Sequence, residues 1–210
     1  MINFIKEACV ENINQALKAE KKGANRIELC AHLNLGGITP SDELIVAAKQ
    51  QLKIPVRIMI RPRGGNFVYS KEEFETMVTS IEFCKEVGVE GVVFGILNTA
   101  NFLNLKEIST LAKIARPLEV VIHKAIDETP EPIEEARKLC EIEEITTVLT
   151  SGGEKTAFEG KEILREMIRI CQNRIEIMPA GKITNINIQG LHHFLGAKAY
   201  HGKCVVGSLK

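Results

Sequence analysis

The sequence predicts an α/β chain folded as a compact TIM-type (β/α)8 barrel that lacks the eighth helix. Three observations predict it. Short β-rich runs begin near Ile2, Arg26, Val56, Gly91, Glu119, Thr147, Ile175 and Ala199, at gaps of roughly 24 to 35 residues, about one strand–helix unit. Helical periodicity fills the gaps between them. Several of the strand-like runs also alternate apolar with ionisable residues, a pattern that a closed cylinder with a polar interior accommodates. A doubly wound open sheet is the alternative, but it usually has fewer strands and needs a reversal of strand order that is not visible here.

In chain order, helical spacing covers 11–22, 41–51, 70–87, 104–115, 131–140, 156–171 and 184–195. Ser41 and Ser70 fit as N-caps, and Glu73 three residues after Ser70 completes a capping box. Pro40 and Pro130 punctuate helix entries, and Gly23 and Gly88 stand where helices should stop. The chain reaches Lys210 a few residues past the eighth strand, so no eighth helix is encoded. That omission should leave apolar strand surface uncovered between the last and first helices, which a second subunit could bury as a homodimer or higher homo-oligomer.

The 210 residues fit one domain, 1–210, with a sizeable core. Lys+Arg and Asp+Glu are equal at 27 each, so no charge excess invites nucleic acid or an anionic membrane surface. No apolar run approaches bilayer length and the first residues lack the form of a secretory signal, so a cytoplasmic location is expected. The six cysteines are scattered without a C-x-x-C pair, which argues against a disulfide framework or a structural zinc site.

In a parallel sheet helices cover the outer face, so the polar half of each alternating strand points into the barrel. The interior then collects Glu7 and Cys9, then Arg26, Glu28 and Cys30, then Arg57, Met59 and Arg61, with His123, Glu176, Met178 and His201 from later strands. Three arginines balance three glutamates, as burial of charge demands. For Arg26, Arg57 and Glu176, lower in the barrel, a structural salt network is the alternative to a functional role. Glu7, Glu28, Arg61, Arg63, His123, Lys124, Asp127 and Ser151 fall toward the C-terminal strand ends, where such barrels build their sites. Arginines beside the glutamates would hold them ionised, as suits a base.

Three loops add to the expected site. Arg61-Pro62-Arg63-Gly64-Gly65 brings two guanidinium groups to one strand end, which suits recognition of phosphate or carboxylate. Thr150-Ser151-Gly152-Gly153 offers backbone N–H groups that could cradle an anion. Leu35-Gly36-Gly37-Ile38-Thr39-Pro40 is a similar turn after the second strand. Cys84, Cys140 and Cys171 sit in helical runs and read as small core hydrophobes.

Several of these stretches resemble the CutC family, linked by name to copper homeostasis. They are Gly23-Ala24-Asn25-Arg26-Ile27-Glu28-Leu29-Cys30, Gly36-Gly37-Ile38-Thr39-Pro40-Ser41, Ile60-Arg61-Pro62-Arg63-Gly64-Gly65, Val68-Tyr69-Ser70 and Val148-Leu149-Thr150-Ser151-Gly152-Gly153. His123-Lys124-Ala125-Ile126-Asp127 looks like the family's His-Arg-Ala-Phe-Asp, with Lys124 in place of arginine. His201-Gly202-Lys203-Cys204 departs from the family's His-Ser-Ser-Ala. The resemblance implies a TIM-type barrel, a cytoplasmic protein and a role in copper handling.

Two functional classes stand side by side, with a third that needs no ligand. A copper protein would bind Cu(I) through the soft thiolates of Cys9 and Cys30, on neighbouring strands about 4.8 Å apart, with Met59, Met178 and His32 as helpers. An enzyme would hold a small phosphorylated or carboxylated metabolite with Arg26, Arg61, Arg63, Lys124, His201 and the Ser151-Gly152-Gly153 turn. Glu7, Glu28, His123 and Asp127 would then exchange protons. The third class is a scaffold built for self-association.

Overall fold

In the computed structural model, which describes residues 4–210, eight parallel strands alternate with seven helices. The strands are β1 Ile5–Val10, β2 Arg26–Leu29, β3 Val56–Met59, β4 Gly91–Phe94, β5 Glu119–Ile122, β6 Ile145–Thr150, β7 Glu176–Pro179 and β8 Ala199–Gly202. The helices are α1 Ile13–Lys21, α2 Asp42–Gln51, α3 Lys71–Val87, α4 Leu105–Ala115, α5 Pro132–Leu139, α6 Lys161–Cys171 and α7 Ile188–Leu195. The expected start of the first strand at Ile2 lies outside the described residues.

The strands pair in the order β7-β6-β5-β4-β3-β2-β1-β8. The cylinder is laddered all round except between β7 and β8. There the loops that follow the two strands meet instead, through a bridge between Thr184 and Cys204 and a 3.0 Å hydrogen bond from Asn185 N–H to the Cys204 carbonyl.

Local chemistry sets the helix ends. Ser70 accepts from the Glu73 N–H while Glu73 reaches back to the Ser70 N–H, the full capping box. Ser41 accepts from the Leu44 N–H, and Gly88 closes α3 in the left-handed conformation at φ 74°. The sixth and seventh helices start later than the periodicity suggests. Residues 156–160 form turns because Ala157 N–H is drawn to the Gly181 carbonyl. Gly160 also packs so close to Ser151 that an added Cβ would lie 1.9 Å from the Ser151 carbonyl oxygen. Thr184 Oγ1 accepts from the N–H groups of Ile186 and Asn187, a turn that delays α7.

Strand parity splits the interior into two apolar layers. The larger lies between strands and helices and includes Ile27, Ile58, Val92, Val120, Val148 and Tyr200. The smaller fills the cylinder with Cys9, Cys30, Met59, Val93, Val121, Leu149 and Met178.

No helix follows β8 among the described residues, and the face beside it is not the bare apolar strand surface that the sequence suggested. Val205 and Val206 are buried and Leu209 packs on the same core. Lys22 Nζ donates to the Ser208 carbonyl at 2.8 Å, and Lys18 Nζ donates to the carbonyl of Lys210. These terminal residues therefore run along α1 as a short irregular cover. Beneath it Tyr200 is fully buried, edge-on to Phe4 and hydrogen-bonded to His192. Among the described residues no helix is long and apolar enough to cross a membrane.

Candidate functional site

The barrel interior holds two polar clusters stacked along its axis, and they differ in how completely their atoms are paired. The lower one centres on Glu7, which is fully buried. Pairing of β1 with β2 and β8 sets Arg26 on one side of Glu7 and His201 on the other. Arg26 Nε donates to Glu7 Oε2, Arg57 Nη1 donates to the same oxygen at 3.0 Å, and His201 Nδ1 lies 3.0 Å from Oε1. Arg57 then forks onto Glu119 Oε2 at 2.8 and 3.1 Å. Arg26 Nη2 sits 3.9 Å from Glu176 Oε1 and 3.4 Å from Met178 Sδ.

Burial alone would raise the Glu7 carboxyl. The His201 hydrogen bond and the charges of Arg26 and Arg57 overcome it and hold the group at about 2. Glu7 stays ionised because it is the counter-charge of two buried guanidinium groups. The sequence placed Glu7 at the mouth and Arg26 among the anion-binding groups. Neither lines the cavity above, because both are consumed by each other one layer down.

Above this floor a cavity of about 590 Å3 opens among the βα loops. Its wall includes Cys9, Glu28, Met59, Arg61, Phe67, His123, Lys124, Leu149, His201 and Lys203. Glu28 Oε1, Arg61 Nε and His123 Nε2 are buried with no hydrogen-bond partner among the described residues. Their side chains come from residues only 2%, 5% and 4% exposed. Buried polar atoms are nearly always satisfied in folded proteins, so three in one cavity wall single out that wall.

His123 sits at the end of β5, where its Nδ1 accepts from the Ala125 N–H at 3.2 Å, leaving the proton on Nε2. Burial and then the Arg61 charge push its pKa down to about 3, so the ring is neutral. Gly95 makes room for it: a Cβ there would lie 2.6 Å from His123 Nδ1. The Phe67 ring packs against both His123, at 4.8 Å between ring centroids, and Arg61, whose Cζ lies 4.6 Å from the Phe67 centroid. Arg61 Nη1 donates to the Leu35 and Gly37 carbonyls at 3.1 Å each, and Nη2 to Gly65 O at 2.6 Å. The two glycine turns after β2 and β3 thus form a carbonyl cage around one guanidinium. No carboxylate among the described residues pairs with Arg61.

A second group lies on the β1–β2–β8 side, where Cys9, Glu28 and His201 line the cavity and Cys30 is buried behind it. Cys9 Sγ and Cys30 Sγ are 4.0 Å apart, and Cys30 Sγ lies 3.4 Å from Glu28 Oε2. His201 Nε2 approaches Glu28 Oε2 at 3.6 Å. Donor atoms of Cys9, Glu28 and Cys30 all fall within 4.8 Å of one another, as do those of Glu7, Glu28 and His201. The Cys30 hydrogen bond, against burial and with help from His201, holds the Cys9 thiol well below its ordinary pKa. Burial would lower His201, yet Glu28, Cys9 and Glu7 raise it well above the usual imidazole value. Burial pushes Glu28 up to about 8, with His201 opposing. The sequence expected arginines to keep Glu28 ionised. Arg57 pairs with it only through the backbone ladder and sends its guanidinium to Glu7 and Glu119, so that expectation is overturned.

The Ser151-Gly152-Gly153 turn does collect backbone N–H groups, but the anion it holds is Asp127. Ser151 N–H donates to the Asp127 carboxylate at 3.0 Å and Gly153 N–H donates at 2.8 Å, while Gly152 N–H donates to Thr150 Oγ1. Thr150 Oγ1 donates to the same carboxylate at 2.5 Å, and Lys124 Nζ donates to both Asp127 and Ser151. The expected anion cradle is therefore filled from within the chain, and of these residues only Lys124 reaches the cavity wall. Arg63 turns outward instead. It pairs with Glu73 at 2.5 Å, donates to the Asn66 and Val68 carbonyls and lies over Tyr69. His32 is exposed, and Met178 faces Arg26 rather than the sulfurs.

Sequence reasoning missed Glu119, Phe67 and Gly95. Glu119 shares the inward parity of His123 on β5 and was legible on that ground. Phe67 and Gly95 lie in loops, where no period shows which way a residue faces.

The comparisons with known proteins bear on the family and the fold. The CutC family model matches residues 4–206. The chain belongs to the CutC family. A human relative described as a copper homeostasis protein cutC homolog is 39% identical over 94% of this chain and 72% of its own length. A CutC crystal structure from Streptococcus agalactiae superposes with a TM-score of 0.91 at 32% identity, covering 96% of this chain and 99% of that one. A chain described as an aldolase, at TM-score 0.70 and 15% identity over 99% of this chain and 93% of that one, shares the fold alone.

Proposed function

We propose that this family member is a cytoplasmic copper homeostasis protein that binds Cu(I) between Cys9 and Cys30 at the side of the barrel cavity. The observation that carries the reading is the 4.0 Å separation of the two sulfurs. A metal with ~2.3 Å bonds to sulfur sets two tetrahedral ligands ~3.8 Å apart, so both thiols can reach one ion with little movement. Paired thiolates are soft donors and favour Cu(I) over hard cations. The Cys9 thiol, held low by its bond to Cys30, supplies one thiolate, while Cys30, pushed up by Cys9 and then by burial, would give its proton up to an incoming metal. The Glu28 carboxyl beside Cys30 fits a third, weaker donor. The human and mouse relatives carry copper homeostasis in their descriptions, which supports the same role here. The six cysteines, all free in the structure, suit a reducing compartment.

Competition against a strong Cu(I) chelator tests the reading. The parent protein should withhold roughly one Cu(I) per chain, and Cys9→Ser with Cys30→Ser should release it. A double variant that competes as well as the parent would show that copper is bound elsewhere, or adventitiously.

A further inference from the structure

The thiol pair accounts for one side of the cavity and leaves the other unexplained. At the end of β3 Arg61 is 5% exposed and carries a positive charge with three carbonyls around it but no carboxylate. A buried charge whose neighbours are only dipoles is a costly arrangement unless an opposite charge completes it. Two of its five N–H groups are left spare, one on Nη2 and the Nε–H, and Nε is buried with no partner in the cavity wall. His123, packed on the same Phe67 ring, has its Nε2–H buried and unpartnered in the same way.

We propose that the Arg61–Phe67–His123 wall is a binding subsite for the carboxylate of a small monoanionic organic acid. The two buried, unpartnered nitrogens, Arg61 Nε and His123 Nε2, match the two oxygens of a carboxylate. One uncompensated positive charge matches one negative charge, since a neutral His123 adds a donor without adding charge. A phosphate would bring further oxygens and charge, and among the described residues this wall has no third buried, unpartnered nitrogen to meet them. Met59, Phe67, Leu149 and Ile183 around the cavity are apolar, so the body of the acid should be small and mostly apolar. Lys182 and Lys203, both exposed at the rim, would draw an anion inward.

The inference stands apart from the copper reading, and the two fail separately. Metal-free protein is titrated with acetate, pyruvate and benzoate, followed by calorimetry and by the NMR signal of the Arg61 side-chain Nε–H. Chloride and sulfate at matched ionic strength are the controls. At least one carboxylate should bind saturably and shift the Arg61 signal. His123→Phe keeps the ring packed on Phe67 and deletes the donor, so it should weaken that binding about tenfold. Arg63→Ala should leave the affinity unchanged, and the serine double variant at Cys9 and Cys30 should bind carboxylate while losing Cu(I). Sulfate binding as tightly as any carboxylate would overturn the assignment, as would a His123→Phe variant of parental affinity. No saturable carboxylate binding at millimolar concentration would overturn it too.

Discussion

The floor and the mouth of this barrel are built from the same residue types, yet the floor is the more completely paired, with Glu176 Oε1 its one buried atom lacking a hydrogen bond among the described residues. Below, Glu7 takes Arg26, Arg57 and His201, and Arg57 goes on to Glu119. Above, Glu28, Arg61 and His123 each keep one buried atom unpaired. The difference teaches what inward-facing charge does in such a fold. A satisfied set is structural, because its charges are spent on one another. An unsatisfied set is stable only if a guest, water or metal completes it.

The largest effect that separates the regions should come from Glu7. Glu7→Gln leaves two guanidinium groups in the barrel without their shared counter-charge, which should cost about 3 to 5 kcal/mol. Urea unfolding would measure it, and a loss below about 1 kcal/mol would mean that the floor is not held by this carboxylate. Carboxylate binding in the folded fraction should be little changed, since Glu7 does not line the cavity or touch Arg61 or His123.

A smaller effect comes from the mouth and appears in the pH dependence of stability. His123 is held down at about 3 in the folded protein, below its ordinary value of 6.5. The unfolded chain therefore takes up a proton first, so stability present above pH 6.5 is lost as pH falls toward 3. Glu7, held at about 2 against an ordinary 4.5, begins to withdraw its share only below pH 4.5. Between pH 6.5 and 4.5 the slope tied to His123 should reach ~1.4 kcal/mol per pH unit. His201 has the opposite sign, but it is common to parent and variant and cancels in the comparison. Metal-free His123→Phe should lose about 2 kcal/mol less than the parent between pH 7 and pH 5. Parallel pH profiles would show that His123 is not buried as a neutral ring.

The sequence made the floor easier to read than the mouth. Alternation in β1, β2 and β3 correctly placed Glu7, Arg26, Glu28 and Arg57 inside, because side-chain direction along a strand has a fixed period. Height along the barrel axis has no such signal, which is why Glu7 was expected near the mouth. Loops were harder still. The Ser151-Gly152-Gly153 turn does gather N–H groups around a carboxylate, but its occupant, Asp127, was read as part of an open site. The Gly36-Gly37 and Gly64-Gly65 turns looked like flexible cradles and instead supply carbonyls to Arg61. Glu28 carried the same ambiguity. Its inward direction was legible, but its ionisation depends on where Arg57 sends its guanidinium, and no local pattern records that.

Crystals of the protein soaked with Cu(I) and with a small carboxylate put both halves of the comparison to the test at once. Metal density should bridge the sulfurs of Cys9 and Cys30, and the carboxylate should lie against Arg61 Nε and His123 Nε2, with the Glu7 cluster undisturbed. A cavity in which those atoms turn to pair with the chain itself, leaving both guests outside, would contradict the claim that the mouth is kept open for them.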